Sequence, residues 1–312
     1  MKSVDTSAMA SFTVDTVNFM SGHSRIEALF YKPSGVENPP VVVLAGGWCY
    51  VKELVQPFYA EAFAAAGLAA MIFDYRRVGN SEGLPRQHLD PNDQMEDYRN
   101  AISYIETRDD VNAKSIGLWG ISYSGGHVLI LGDTDPRVSA VVSVVPVVDG
   151  RITLEMAHGT MGMRRLRECI AESRMKLFRT GEHSYIPHAS VNPHNDIVTW
   201  PFPASQPLFE WLKETQGPRY ENRATVASTE MLLNYSVYPS VERLINTPTM
   251  MVVAEGDDHT MWQLEIAAFT AIPTTKKHLR IVERSGHHGL YRDESRIRLI
   301  AGECAKWFKT WL

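Results

Sequence analysis

Short apolar runs rich in Val, Ile and Leu recur along this chain, and segments of helical period separate them. That alternation is the signature of βαβ units on a mostly parallel sheet, so the fold class is α/β. Eight runs read as strands: FTVDTVNF (12–19), RIEALFYK (25–32), PPVVVLAGG (39–47), LAAMIFDY (68–75), SIGLWG (115–120), VSAVVSVVP (138–146), TMMVVAEG (249–256) and KHLRIVE (277–283). Between them, KELVQPFYAEAFAAAG (52–67) reads as a helix closed by Gly67. DPNDQMEDYRNAISYIET (90–107) reads as a helix capped by Asp90, with Pro91 at its first position. The closing RIRLIAGECAKWFKTWL puts Ile297, Ile300, Cys304, Trp307, Phe308 and Trp311 on one stripe, as a terminal helix packed on the sheet requires.

From about Arg151 to Asn246 the strand rhythm stops, and Met, aromatics and Pro dominate. A structureless loop that long does not suit a compact domain, so 151–246 is expected to be a mainly helical cap inserted between the two parts of the core, 1–150 and 247–312. Its Met156, Met161, Met163, Phe178, Tyr185, Trp200, Phe202, Phe209 and Trp211 supply material for packing the cap and for an apolar pocket.

Composition excludes several function classes. Over 312 residues the chain is 44% hydrophobic and 21% charged, ordinary for a globular domain. A net charge of −5 argues against a nucleic-acid surface, and the basic stretch RRLREC (164–169) reads as the solvated face of a helix. No run is long enough to cross a bilayer, and MKSVDTSAMASFTVD has no apolar leader core, so a cytoplasmic location is expected. Cys49, Cys169 and Cys304 lie far apart and suggest neither a disulfide framework nor a zinc site. His183, His188 and His194 have spacings that suit no metal motif and read as surface or cap histidines. Phosphate-cradling glycine loops are absent, and no cofactor or metal is expected.

The chemistry concentrates at GISYSGG (120–126), where a strand turns at once into a helix. Such an elbow strains the backbone of one residue and needs small neighbours two positions before and after it. Ser122 meets that need with Gly120 and Ser124, followed by Gly125 and Gly126; Ser124 as nucleophile fits less well. The later residues then follow the order nucleophile, acid, base. The acid ends the seventh strand in AEGDDHT, where Asp257 comes first and adjacent Asp258 is the alternative. The base follows the eighth strand in SGHHGLY, with His287 preferred and His288 the alternative. Imidazole titrates near pH 6.5 and so both takes and returns a proton near neutrality, while a carboxylate fixes its tautomer. Backbone amides of Tyr123, which follows the nucleophile, and of Trp48, in the glycine-rich loop after the third strand, suit an oxyanion hole.

LAGGWCYVKE, FDYRRVGNSEG, DPNDQMEDYRNAISY, GLWGISYSGGHVL and SGHHGLY together resemble the α/β-hydrolase serine acyl hydrolases. The chain is most similar to the branch of fungal polyketide transferases and their bacterial relatives, with X-prolyl dipeptidyl peptidases and cocaine-esterase-like enzymes as more distant kin. The resemblance implies Ser122 as nucleophile, Asp257 as acid, His287 as base and the Trp48 and Tyr123 amides as the hole. One departure is Gly46-Gly47 where relatives place His-Gly, which removes a brace from the oxyanion loop. The expected activity is an esterase, thioesterase or acyltransferase working through an acyl-enzyme on a hydrophobic, natural-product-like acyl group. The alternative is a lyase, isomerase or cyclase that uses the pocket without a covalent intermediate. The expected partner is a small-molecule acyl substrate, with neither nucleic acid nor membrane, and a homodimer is the candidate assembly.

Overall fold

The computed structural model describes residues 11–312; the leader-free reading of the first residues falls mainly on 1–10, outside the described residues. Strands β1 (Phe12–Ser21) and β2 (Ser24–Pro33) form a hairpin, and β3 (Pro40–Ala45), helix α1 (Gln56–Ala65), β4 (Ala69–Phe73), α2 (Pro91–Glu106), β5 (Asn112–Ile121), α3 (Tyr123–Thr134) and β6 (Val138–Val144) follow. Between β6 and β9, the segment expected to form the cap holds α4 (Gly150–Thr180), β7 (Tyr185–Ile186), α5 (Ser205–Thr215), β8 (Ala224–Thr225), α6 (Val226–Leu232) and α7 (Tyr238–Val241). The chain returns to the core with β9 (Thr249–Ala254), α8 (Trp262–Ala271), β10 (Lys277–Val282), α9 (Gly289–Arg292) and α10 (Glu294–Trp311).

Eight strands form one sheet in the order β1-β2-β4-β3-β5-β6-β9-β10. The first two strands run antiparallel, and every pairing from β4 to β10 is parallel. Helices therefore cover both faces, and β4 and β9 are buried at every position, which explains their near-continuous apolar runs. All eight sequence-derived strands are present in this sheet. The cap adds what periodicity missed, a hairpin of two-residue strands, β7 and β8, too short to leave a pattern.

Local chemistry sets the helix ends. Asp90 accepts a hydrogen bond from the Asn92 amide, with Pro91 opening α2, as the sequence suggests. Helix α1 begins at Gln56 rather than near Lys52, because Lys52 is drawn away into a buried charge cluster. Its Nζ lies 2.9 Å from each of Asp74, Glu27 and Glu53, and its amide donates to Asp74 Oδ1 at 2.7 Å. On α10, Ile297, Ile300, Cys304 and Phe308 are buried, whereas Trp307 and Trp311 stay half-buried at the edge of the stripe. Gly159, at φ 62, breaks α4 into two helical pieces. Among the described residues, no helix is long and apolar enough to cross a membrane.

Candidate active site

Strand β5 lies at the centre of the sheet between β3 and β6, and its C-terminal end is where the backbone is forced into an unusual shape. Ser122, the residue between β5 and α3, has φ 57 and ψ −115, a conformation that L-residues avoid. Its amide donates to Val144 O at 2.9 Å and its carbonyl accepts from the Val147 amide at 3.0 Å, so the neighbouring loop holds the bend in place. A Cβ on Gly120 would collide with the Ser124 carbonyl, and one on Gly125 would lie 2.9 Å from Val144 O. The small residues flanking the elbow are thus required by close approach of strand and helix.

Ser124 has a different place. Its hydroxyl is fully buried, 2.6 Å from the Tyr75 phenol and hydrogen-bonded to the Gly46 carbonyl, so it ties the elbow to the loop after β3. In that loop Gly47 to Tyr50 make a β-turn, closed by the Tyr50 amide on Gly47 O at 3.3 Å, with Cys49 at φ 60. The turn leaves the Trp48 amide without an acceptor among the described residues. The Tyr123 amide, in the first turn of α3, is also unpaired there. Gly47 approaches so closely that a Cβ would lie 2.9 Å from Ser122 Cβ and 3.3 Å from its Oγ. At Gly46 a Cβ would meet Tyr50 Cβ at 2.7 Å and Gln56 Nε2 at 2.9 Å. These two side chains fill the space that a side chain at position 46 would need.

The acid and base loops follow β9 and β10, the last two strands at one edge of the sheet. Asp257 is buried; its Oδ2 accepts from His287 Nδ1 at 2.6 Å, and its Oδ1 accepts the amides of His259 at 2.9 Å and Thr260 at 3.0 Å. Burial works against its charge, but the His287 imidazole and the Thr260 amide hold its carboxyl below the ordinary carboxylate value. Asp258 is largely exposed and pairs instead with His259 Nδ1 at 2.7 Å. His288 points to the cap, 3.1 Å from Ser205 Oγ.

Ser122, His287 and Trp48 line one cavity beneath the cap. Trp200 and Phe209 come down from the cap to wall it, while Met156, Met161 and Phe178 are exposed. His188, placed by its sequence among surface or cap histidines, is buried in this wall, its Nδ1 2.8 Å from the Tyr220 phenol; burial lowers its pKa to about 3, so it stays neutral.

Tyr291 is the residue that sequence reasoning missed. Its hydroxyl lies 3.1 Å from His287 Nε2, the nitrogen a serine nucleophile would use, and its ring stacks on the imidazole at 5.1 Å. Its ring packs edge-on against Tyr50 at 5.5 Å, and burial raises its pKa, so it is a neutral phenol. Among the described residues no hydrogen bond joins Ser122 to His287 directly. The only sequence clue was position: Tyr291 follows the base by one helical turn, which brings both side chains to one face.

Comparison with known proteins adds independent information. A sequence model of the family described as X-Pro dipeptidyl-peptidase (S15 family) matches residues 21–289. Thiohydrolase aneE of Aspergillus aculeatus is 32% identical over 262 residues, covering 82% of this chain and 81% of that protein. Quorum-quenching protein AidA of Acinetobacter baumannii is 28% identical over 286 residues, covering 91% of each. In structure, the α/β hydrolase GrgF from Penicillium superposes with a TM-score of 0.80 at 22% identity, covering 96% of this chain and 99% of that one.

Proposed function

Because this chain belongs to the X-Pro dipeptidyl-peptidase (S15) family, with an α/β-hydrolase fold, we propose that Ser122 is its nucleophile, His287 its base and Asp257 its acid. It is a hydrolase or acyltransferase of that class. The observation that carries the assignment is the 2.6 Å contact of Asp257 with His287 Nδ1, in a cavity that His287 shares with the strained Ser122.

With Nδ1–H held by Asp257, His287 presents an unprotonated Nε2 to the cavity. As Ser122 Oγ attacks an acyl carbon, its proton passes to Nε2 and the carbonyl oxygen becomes an oxyanion at the free amides of Trp48 and Tyr123. His287 returns the proton to the leaving alcohol or thiol. The acyl group then passes from Ser122 to water or to an incoming nucleophile activated by the same nitrogen.

The substrate we infer is an ester or thioester of a hydrophobic acyl group. Trp48, Trp200 and Phe209 give the cavity an apolar wall, and among the described residues no carboxylate lines it to receive a peptide's amino terminus. Relatives named thiohydrolase and polyketide transferase support the same class. They also disfavour the non-covalent alternative of a lyase, isomerase or cyclase. Free thiols at Cys49, Cys169 and Cys304 support a reducing, cytoplasmic setting.

A fluorophosphonate followed by peptide mass mapping tests the assignment. The adduct is expected on Ser122 in the wild type and should form far more slowly in His287→Ala. An adduct elsewhere with none on Ser122, or full thioester turnover by Ser122→Ala, overturns it. Partition of a labelled acyl thioester between water and added alcohols then assigns hydrolysis or transfer.

A further inference from the structure

We propose that Ser205, on the cap, is a second acylatable serine, activated by His259 and Asp258. Its Oγ lies 3.1 Å from His259 Nε2, and His259 Nδ1 lies 2.7 Å from Asp258 Oδ1. These two contacts repeat, with other residues, the acid–base–hydroxyl order built by Asp257 and His287. The tautomers follow from the partners. Asp258 is ionised, so His259 carries its proton on Nδ1 and leaves Nε2 as an acceptor, to which the Ser205 hydroxyl donates. His288 Nε2, 3.1 Å from the same oxygen on another side, must then donate to it. Once Ser205 gives up its proton, two imidazole N–H groups converge on the alkoxide and stabilise it.

The environment favours a working base. His259 is held between Phe202, with ring centroids 3.8 Å apart, and His287, at 5.1 Å with planes 7° apart. Burial lowers its pKa despite the bond to Asp258, so it is neutral and ready to accept a proton at physiological pH. Ser205 is itself buried and lines the same cavity as Ser122, where an acyl donor would sit.

The step needs no further reactant. Ser205 Oγ forms a bond to the acyl carbon while the bond from that carbon to the leaving oxygen or sulfur breaks. The Ser205 proton passes to His259 Nε2 and on to the leaving group, giving a Ser205 ester and a free alcohol or thiol.

A small alkyl fluorophosphonate, with peptide mapping of the adducts, tests this in four full-length proteins: wild type, Ser122→Ala, Ser122→Ala/Ser205→Ala and Ser122→Ala/His259→Gln. Matching thermal unfolding midpoints establish that each is folded. Ser122→Ala is expected to carry the adduct on Ser205, the Ser205→Ala double variant to lose it, and His259→Gln to slow it by about 100-fold, the contribution of one general base. Labelling of wild type on Ser122, with none on Ser205 in Ser122→Ala, overturns this inference and leaves the Ser122 assignment standing. Labelling on Ser205 alone in the wild type upholds it and overturns that assignment, and labelling on neither serine overturns both.

Discussion

The Tyr291 hydroxyl stands 3.1 Å from His287 Nε2, in the position that a serine hydroxyl takes when the base is about to act. With Nδ1–H committed to Asp257, Nε2 can only accept, so the phenol donates to it and, in the proposed mechanism, competes with Ser122 for that nitrogen. Tyr291→Phe keeps the ring stacked on the imidazole and removes only that donor. One hydrogen bond has a net worth of about 1 kcal/mol, so fluorophosphonate labelling of Ser122 should become roughly fivefold faster. Measured rates of inactivation check this; slower labelling would mean that the phenol conveys the serine proton instead.

Two adjacent carboxylates follow β9, and their environments separate their tasks. Asp257 is buried, accepts two backbone amides and holds His287; Asp258 is exposed and holds His259. Asp257→Asn should lower the rate of Ser122 acylation by about a thousand- to ten-thousand-fold, because the amide favours the wrong imidazole tautomer. Asp258→Asn should leave that step within about threefold, as an exposed pair contributes little. Burst kinetics with an activated ester distinguish the two.

Gly47 tests how tightly the oxyanion loop is fitted to the elbow. Its φ is not in the left-handed region, so alanine brings no backbone strain, but the added methyl would sit 2.9 Å from Ser122 Cβ. A displacement of the loop by a fraction of an ångström follows. Gly47→Ala should therefore lower kcat/KM by about 100-fold while the urea midpoint of unfolding barely moves.

Acid should destabilise the fold through its buried imidazoles. His127 lies between Gln94 Oε1 and the Tyr235 phenol, each at 2.9 Å, and burial lowers its pKa to about 3. His288 is lowered to about 3 and His88 to about 4, again chiefly by burial. In each case the folded pKa is below the unfolded value of about 6.5, so the stability is present above that pH and is lost as pH falls toward the folded pKa. Urea unfolding at pH 7 and at about pH 4.5 should show the loss, on the order of 2 kcal/mol for His127 alone. The drop should be smaller in His127→Gln.

Periodicity disclosed the sheet because its strands are buried on both faces and so spell nearly unbroken apolar runs, as in β4 and β9. The elbow was legible because the close approach at Gly120 and Gly125 leaves room for little else. Lys52 was hidden because a charged residue in a helical pattern gives no sign that three carboxylates will bury it. His188 and Tyr291 were hidden for a related reason: each owes its position to the packing of the cap or of the last helices against the cavity, which no local pattern records.

The strand carrying Ser122 is fifth in chain order and central in the sheet, whereas β9 and β10, which carry Asp257 and His287 on the loops that follow them, are last and form one edge. During synthesis the proposed nucleophile and its elbow leave the ribosome long before the proposed acid and base exist. Acylation of Ser122 by the proposed mechanism therefore becomes possible only when the final segment emerges and adds its strands, so fragments that end before His287 should leave Ser122 unreactive.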